Sequence, residues 1–466
     1  MKVFLVNPYF TSHIIIPPLG LGYLSSYIKK KQPDVKISII DCLRDNIKNE
    51  RLSRMIEQEK PDLVGLTTYS LFFDSVKDII RKIKAYESGI KIVIGGPHVS
   101  ALPEFSLKDT NGDFAIFGEG EETFSELVRT LQDRENDFSA VKGLCYRNQE
   151  NNIVKNNQRP LLKEINSLAW PDWQQINPND YPPAPHGGVY KRFPVAPIMT
   201  TRGCPYQCKF CGSHSIWGNE IRFRSKDDVV DEIEFLVNKY GVREFHFEDD
   251  NFTFSKEHSI SICEEIIKRN LNIVWTCPNG VRIDAIDDDV LQVMKKSGCY
   301  LLAFGLESGS QEILNKMNKH LDKSIVYDVL KKVQNCGIET WGAFIIGLPG
   351  ENKKTVNETL NFAKKLPLDR AQFCKFMPIP GTELFEPWLK QQNIENLGDV
   401  CWGDLSFFGK SVFDIEDFDK EELTKIHTKA FLSFYGRGSV FLKMIQKVRP
   451  HQLGFMAKRL REYIFK

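Results

Sequence analysis

The chain has 466 residues, of which 42% are hydrophobic and 26% charged, and its formal net charge at pH 7 is +1. This composition is that of a soluble globular protein, the length suggests two to four domains, and the near-zero charge excludes a global field that attracts nucleic acid. No signal peptide is recognisable and no apolar run reaches the ~18–20 residues that cross a bilayer, which predicts a cytoplasmic protein.

The first 135 residues alternate short apolar runs with helical periods, starting with "KVFLVNP" and ending with "DFAIFGEGE" and its following helix. Strands separated by helices of about a dozen residues predict a parallel sheet covered on both faces, a doubly wound, Rossmann-like α/β domain over 1–135. Small and polar residues follow these strands at the edge where such sheets bind ligands. Glycines there let a backbone approach a large ligand, and they can equally serve only as turns.

Residues 136–195 change character. The stretch "GLCYRNQENNIVKN" predicts a hairpin, and the prolines that crowd in after it predict an extended, proline-rich linker. We expect Trp170, Trp173 and Tyr181 to pin this linker to a neighbouring surface.

The strand–helix rhythm resumes over 196–385. Six strands, from "VAPIMTT" to "RAQFCKFMPIP", each belong to a βα-type unit. Six units are fewer than the eight of a closed (β/α) barrel, so the pattern predicts an open, partial (β/α)6 barrel with its chemistry at the carboxyl ends of the strands.

The loop after the first of these strands, "TTRGCPYQCKFCGSH", carries Cys204, Cys208 and Cys211 with the spacing C-x3-C-x2-C. Three thiolates are one ligand short of a closed tetrahedral site. His214 could complete a Cys3His zinc site, although common zinc modules place their ligands in two separated pairs. An iron–sulfur cluster can be held by three thiolates with one iron left open, and the spacing and position favour the cluster.

This cysteine spacing, with the aromatic Phe210 before the last cysteine, resembles the signature of radical S-adenosylmethionine (SAM) enzymes. The resemblance implies a 4Fe–4S cluster whose open iron is chelated by the amino and carboxylate groups of SAM. One electron from the cluster then breaks the sulfonium bond and yields a 5′-deoxyadenosyl radical. The catalytic, metal-binding residues implied are Cys204, Cys208 and Cys211.

The later strand ends match the same family in order. "FEDDNF" takes the place of its G-G-E motif, so that Glu248 or Asp249 would accept a hydrogen bond from the methionine ammonium, and the choice stays open. Arg282 would pair with the methionine carboxylate. A surface acid, a buried arginine or a turn glycine would explain each position singly, but six strand ends agreeing in order are not expected by chance. The SAM-binding residues implied are Phe210, Gly212, Glu248, Asp249, Arg282, Glu307, Ser308, Ile345 and Phe376.

The N-terminal pieces "VGLTTYS", "IGGPHVSALPE" and "FGEGEETFSEL" resemble the cobalamin-binding domain found before many radical SAM barrels. None of the nine histidines has Asp two residues before it, so the D-x-H-x-x-G motif is absent and a bound cobalamin would lack an axial histidine. A degenerate domain without cobalamin stays open. The cobalamin-binding residues implied are Leu19, Gly20, Thr67, Thr68, Ser70, Gly95, Gly96, Pro97, His98, Gly118, Glu119 and Gly120.

Residues 386–466 lack the βα rhythm, and we expect a mostly helical region. Between Gly436 and Lys466 stand eight Lys or Arg residues and one acid, with apolar residues at helical spacing. This pattern is typical of a basic amphipathic helix that lies on an anionic membrane or covers an apolar substrate, and also of a solvated helix packed on the barrel.

Together the resemblance implies a cobalamin-dependent radical SAM enzyme of the anaerobic cyclase/methyltransferase type, with a 4Fe–4S cluster, SAM and cobalamin as cofactors. It would methylate an unactivated carbon of a small-molecule or lipid-like substrate through methylcobalamin. The expected partners are a one-electron donor such as flavodoxin or ferredoxin and, through the tail, the inner membrane face. The alternatives are a radical dehydration, cyclisation or rearrangement without methyl transfer, and a zinc-bearing cobalamin carrier or sensor.

Overall fold

The computed structural model describes residues 1–12, 14–87, 89–183, 190–408, 411, 413–415, 417–438 and 440. The apolar and basic residues beyond 440, on which the amphipathic-tail prediction rests, lie outside this part of the chain.

The N-terminal part of the chain forms a seven-stranded sheet in the order β2-β1-β3-β4-β5-β6-β7. Its strands are β1 (Lys2–Asn7), β2 (Lys36–Asp41), β3 (Leu63–Thr67), β4 (Lys91–Gly95), β5 (Phe114–Ile116), β6 (Leu144–Arg147) and β7 (Ile153–Lys155). The first five are parallel, and their order has a switch point between β1 and β3, where doubly wound sheets open a ligand crevice. The β6–β7 hairpin is confirmed, and it extends this sheet as two antiparallel strands.

Helices cover both faces of this sheet, as predicted. They are α1 (Leu19–Lys31), α2 (Asn49–Glu59), α3 (Phe73–Tyr86), α4 (Pro97–Ala101), α5 (Pro103–Thr110) and α6 (Glu121–Gln132). Leu21 and Phe124, from α1 and α6, pack in one apolar cluster, whereas Ile56 and Ile80, from α2 and α3, pack in a second. Because each strand is buried on both faces, strands such as "VFLV" are continuously apolar rather than alternating.

The second sheet has six parallel strands in the order β15-β14-β13-β12-β11-β8. The strands of this half are β8 (Val195–Ile198), β9 (Thr201–Arg202), β10 (Arg222–Phe223), β11 (Glu244–Phe247), β12 (Val274–Val281), β13 (Cys299–Glu307), β14 (Glu339–Ile346) and β15 (Arg370–Lys375). β9 and β10 form a separate antiparallel pair. Because β8 and β15 are the two edges of the six-stranded sheet, the sheet is an open partial barrel, as predicted.

Between these strands lie α7 (His214–Trp217), α8 (Lys226–Tyr240), α9 (Lys256–Lys268), α10 (Asp288–Lys296), α11 (Gln311–Lys316), α12 (Val326–Asn335) and α13 (Lys353–Lys365). The linker is pinned between the two halves by its aromatic side chains. Trp173 donates to Glu232 of α8 at 2.8 Å, and Tyr181 donates to Asp41 at the end of β2, also at 2.8 Å. Trp170 donates to α8 as well.

The C-terminal region adds α14 (Phe385–Gln391) and α15 (Lys420–Tyr435). α15 covers the edge strand β15, where the Tyr435 hydroxyl donates to the carbonyl of Ala371 at 2.8 Å and accepts from its N–H at 3.2 Å. Both backbone polar groups of Ala371, which face away from the sheet at this edge, are thereby satisfied. Within the described ranges no helix is both long enough and apolar enough to span a membrane.

Candidate active site

The three cysteines lie on the loop between β9 and α7, and each thiol is partly exposed. Two bonds fasten this loop to the turn after α11: the N–H of Lys209 donates to Met317 O at 3.1 Å, and Asn318 donates to Gln207 O at 2.9 Å. Burial raises the pKa of all three thiols, that of Cys211 to about 11. Metal binding must therefore displace thiol protons.

The donor set fits a cluster better than a single ion. In the described part of the chain, no group of three or more His, Cys, Asp or Glu side chains is placed to hold one metal ion. A structural zinc ion needs its ligands to converge on one point, and His214 does not complete such a set with the cysteines. In a 4Fe–4S cluster each thiolate binds its own iron, so three separated thiols suffice.

A cavity of about 240 Å³ opens beside the cysteine loop, at the carboxyl ends of β12 to β15. Four of the predicted SAM residues line it, namely Phe210, Glu307, Ile345 and Phe376. The rest of its wall is mostly apolar, with a few polar groups such as Asn279. This combination is typical of a small-molecule site.

Glu307 adopts a left-handed backbone conformation with φ 58°, at an irregularity in the pairing of β13 with β14. Positive φ in a residue other than glycine is uncommon and often marks a functional position. Its carboxylate lies 2.8 Å from Nζ of Lys319, which stands 6.0 Å from the ring centre of Phe210. Sequence reasoning missed Lys319, because no periodicity or motif singles out this lysine in a polar turn after α11.

The Arg282 side chain holds the turn after α11 and the cysteine loop together. Its guanidinium pairs with Asp284 at 2.6 Å and donates to the carbonyl groups of Lys319 and His320 at 3.0 and 2.8 Å. It also stacks on the Tyr206 ring at 3.8 Å. Lys319, which pairs with the cavity-lining Glu307, is a second cation near the cavity, and the assignment of Arg282 to the methionine carboxylate stays an untested prediction.

Asp249 and Glu248 have different surroundings, although they are adjacent. The Asp249 carboxylate is buried and accepts four hydrogen bonds, from the N–H and hydroxyl groups of Thr200 and Thr201 at 2.5–3.0 Å. Burial raises its pKa to about 6, against these hydrogen bonds. Glu248 accepts from Asn279 of the cavity wall at 2.9 Å. Glu248 is therefore next to the cavity wall through Asn279, whereas Asp249 braces Thr200 and Thr201 at the start of the cysteine loop.

Two further predicted SAM residues have clear packing roles. Ser308 is fully buried, and its hydroxyl lies 3.1 Å from Thr359 of α13 and accepts from the N–H of Ser310. A Cβ on Gly212 would approach Ile379 of the cavity wall to 3.0 Å, so glycine permits the close contact of loop and wall. Their contact with SAM remains a prediction.

The residues predicted to bind cobalamin gather at one edge of the first sheet, beside the switch point. A Cβ added to Gly20 or Gly118 would meet nothing within 4 Å, so the backbone there faces open space. Gly96, with φ 105°, approaches Thr68 so closely that a Cβ would lie 2.9 Å from its carbonyl oxygen. An open, glycine-lined edge fits a large flat ligand such as cobalamin.

His98 and Glu119 lie close to this edge but are buried. His98 is 1% exposed, bonds through Nδ1 to Ser70 at 2.9 Å and packs its ring on Phe73 and Trp402. Burial lowers the pKa of His98 to about 3, so it is a neutral core residue. Glu119 pairs with arginines of the second half of the chain. Both packing roles are additional to the predicted contact with cobalamin, which stays untested.

An open glycine edge on a doubly wound sheet, joined to a partial barrel whose three-cysteine loop adjoins a cavity, defines an enzyme with two cofactor sites. The profile of the Radical SAM superfamily matches residues 198–363, and that of the B12 binding domain matches residues 10–128.

Among relatives, the chain is 34% identical to an uncharacterized methyltransferase of Pyrococcus horikoshii, over 98% of this chain and 97% of that protein. It is 27% identical to the cytidylyl-2-hydroxyethylphosphonate methyltransferase of Streptomyces wedmorensis, over 84% and 82% of the two chains. Its identity to the anaerobic magnesium-protoporphyrin IX monomethyl ester cyclase of Rubrivivax gelatinosus is 28%, over 79% of this chain and 66% of the cyclase.

Two solved structures share the fold. One is the radical SAM methyltransferase TsrM of Kitasatospora setae with cobalamin and a [4Fe-4S] cluster bound, with a TM-score of 0.70, 19% identity and coverage of 84% of this chain and 78% of that one. The other is the cobalamin-dependent radical SAM enzyme OxsB, with a TM-score of 0.74, 18% identity and coverage of 98% and 70%.

The chain therefore belongs to the radical SAM superfamily, in the group whose barrel follows a B12-binding domain. It is a radical SAM enzyme, and its cofactors are a 4Fe–4S cluster, SAM and cobalamin. The zinc-bearing carrier or sensor is thereby set aside.

Proposed function

We propose that this enzyme methylates an unactivated carbon of a small-molecule or lipid-like substrate. The observation that carries the proposal is the direct attachment of the cysteine loop to the glycine edge of the B12-binding domain, through Arg202 and Glu119, whose side chains are 2.8 Å apart. Methyl delivery to a carbon radical requires the two cofactors to share one substrate. A cysteine loop attached to the predicted cobalamin edge supports such proximity.

Reductive cleavage of bound SAM supplies a hydrogen-abstracting radical, and methylcobalamin supplies the methyl group. The chain's own part is to hold SAM. Glu248 accepts from the methionine ammonium, and Lys319 donates to the methionine carboxylate, since each opposite charge suits its partner. Glu307 keeps Lys319 in place through their 2.8 Å ion pair.

The apolar wall of the cavity protects the chemistry. Trp341, Met377 and Phe407 line it beyond the predicted SAM residues. Large apolar side chains exclude water, which keeps a reactive radical from side reactions.

The product ratio tests the proposal. Anaerobic turnover with excess SAM, reductant and cobalamin is expected to give one S-adenosylhomocysteine and one 5′-deoxyadenosine for each substrate consumed. A radical cyclisation, dehydration or rearrangement, the second candidate suggested by the cyclase relative, would form no S-adenosylhomocysteine. The Cys204→Ala variant serves as the control, and it should form no 5′-deoxyadenosine and no more than one S-adenosylhomocysteine for each cobalamin.

We further propose that a flavodoxin or ferredoxin supplies the electron.

We also propose that the tail from Gly436 adsorbs the enzyme to the anionic inner membrane face. The tail contains eight Lys or Arg residues and one acid, which supports this proposal, because each Lys or Arg near an anionic leaflet is worth about 1 kcal/mol. Co-sedimentation with anionic vesicles should fall on truncation after Tyr435 and at high salt. Equal sedimentation of both versions, or none by either, would refute the role of the tail in membrane contact.

A further inference from the structure

A buried ion network joins the two halves of the enzyme. Arg202 of β9 donates to Glu119 at 2.8 Å and to Glu121 at 2.6 Å, and Arg222 of β10 donates to the other oxygen of Glu119 at 2.7 Å. The four side chains are between 2% and 8% exposed. Burial alone would raise the pKa of Glu121, and Arg202 reverses this, so that its pKa lies below the ordinary value.

The network reaches the backbone of both cofactor sites. Arg202 stands two residues before Cys204, the first ligand of the cluster. Glu119 lies between Gly118 and Gly120 on the cobalamin edge. The pairing of β9 with β10 sets the two arginines side by side, so that both reach the same carboxylate.

The other end of the cysteine loop is attached to the same domain. Three residues after Cys211 begins α7, which packs against α4 of the B12-binding domain. The Arg202 guanidinium lies 4.8 Å from the ring centre of Trp217, at the end of α7, and 5.3 Å from that of Tyr23 on α1. The loop is therefore fixed to the cobalamin domain before its first cysteine and after its last.

Stability alone does not account for four buried charges. Taking ions out of water is costly, and well-packed apolar residues in place of a buried ion pair are often neutral or stabilising. Charged groups also fix the relative position of the two domains. An arginine that bridges two carboxylates forms directional hydrogen bonds, which are satisfied in only one alignment of the domains. Apolar residues at this interface would tolerate sliding of one domain on the other.

We propose that Arg202, Arg222, Glu119 and Glu121 are positioning residues that set the distance between the cluster and the cobalamin. The inference needs only that both cofactors bind, which family membership supports. It holds whether the radical is methylated or rearranged, so its failure and that of the proposed function are distinguishable.

The test compares two charge-neutral double variants of the holoenzyme. Arg202→Gln with Glu121→Gln removes the Arg202 contacts of the interface network, to Glu119 and to Glu121, and keeps only the pair of Arg222 and Glu119. Arg159→Gln with Glu126→Gln removes an ion pair between α6 and the linker after β7, which does not join the two sheets. Each protein is loaded with cob(II)alamin, its cluster is reduced, and the magnetic interaction between the two centres is measured by electron paramagnetic resonance.

We expect the native enzyme to show this magnetic interaction. The interface variant should keep its iron and cobalamin but lose the interaction, whereas the control variant should retain it. An unchanged interaction in the interface variant would overturn the proposal. So would equal loss in the control, or loss of cobalamin itself from the interface variant, because the network would then build the site rather than space it. If the double variant does not fold, Arg202→Lys, which keeps the charge but cannot bridge both carboxylates, is measured with the same outcomes.

Discussion

Replacing Asp249 by alanine is expected to damage the fold far more than the binding of SAM. The carboxylate accepts four hydrogen bonds from Thr200 and Thr201, both almost fully buried. An unsatisfied buried donor costs ~1–3 kcal/mol. Water that enters the space left by the carboxylate should bond some of the four donors, so the total cost should be roughly 3–5 kcal/mol. The melting temperature should fall by on the order of 10 °C.

Asp249→Asn is the matched control. It keeps the shape and an acceptor for the two backbone N–H groups. The pKa of Asp249 is raised from 3.8 to about 6, so the folded state holds the carboxyl proton more tightly than the unfolded chain does. The stability that this proton contributes is complete below pH 3.8 and is lost as pH rises through 6. Ionisation at pH 7 therefore costs roughly 3 kcal/mol, which asparagine avoids. We expect Asp249→Asn to melt much closer to the native enzyme than Asp249→Ala does.

Glu248→Gln should give the opposite result. Glutamine keeps the bond with Asn279 but removes the charge that we assign to the methionine ammonium. A hydrogen bond to a charged group is worth ~1.5–3 kcal/mol, so SAM should bind roughly 10- to 150-fold more weakly. Thermal unfolding and equilibrium dialysis of the anaerobic, reconstituted proteins measure both effects. Native melting of Asp249→Ala with lost SAM binding, beside normal SAM binding by Glu248→Gln, would refute these roles.

Four further outcomes follow. Replacing all three loop cysteines with alanine should leave almost no iron, and iron retention, or reconstitution of the native protein with one zinc ion, would contradict the cluster. Lys319→Met should weaken SAM binding more than Arg282→Met does, whereas the reverse order would restore the arginine as carboxylate partner. The cob(II)alamin form should show no nitrogen superhyperfine splitting from an axial ligand, and a splitting lost in one histidine variant would disprove this. Burial raises the pKa of Glu351 from 4.5 to about 7, so its stabilising contribution is lost as pH rises through 7. Between pH 5 and 8 the melting temperature of Glu351→Gln should therefore fall less than that of the native enzyme. An equal fall in both would show that Glu351 does not titrate as inferred.

The fold could be predicted because its signals are local. Apolar runs of one strand's length, separated by amphipathic helices such as α3, indicated two parallel sheets, and the six units of the second half indicated an open barrel. The cysteine spacing located the cluster loop. Four predicted SAM residues meet at one cavity because the carboxyl ends of parallel strands share an edge.

The remaining features depend on contacts that are distant in sequence. Glu119 looked like part of a glycine loop, yet it pairs with Arg202, 83 residues away. Lys319 enters the site only because the turn after α11 folds back on the cysteine loop. The difference between Glu248 and Asp249 is a matter of which side of a strand end each residue occupies, and two adjacent acids in a sequence do not reveal that.

In the proposed reaction, cobalamin delivers a methyl group to a carbon of the substrate. The most direct test incubates the reconstituted enzyme anaerobically with reductant, cobalamin, SAM labelled with a trideuterated methyl group and a metabolite extract, followed by mass spectrometry. We expect one extract component to gain a trideuterated methyl group on carbon, and no component to gain one with the Cys204→Ala variant. Formation of 5′-deoxyadenosine together with a changed extract component that carries no label would contradict it.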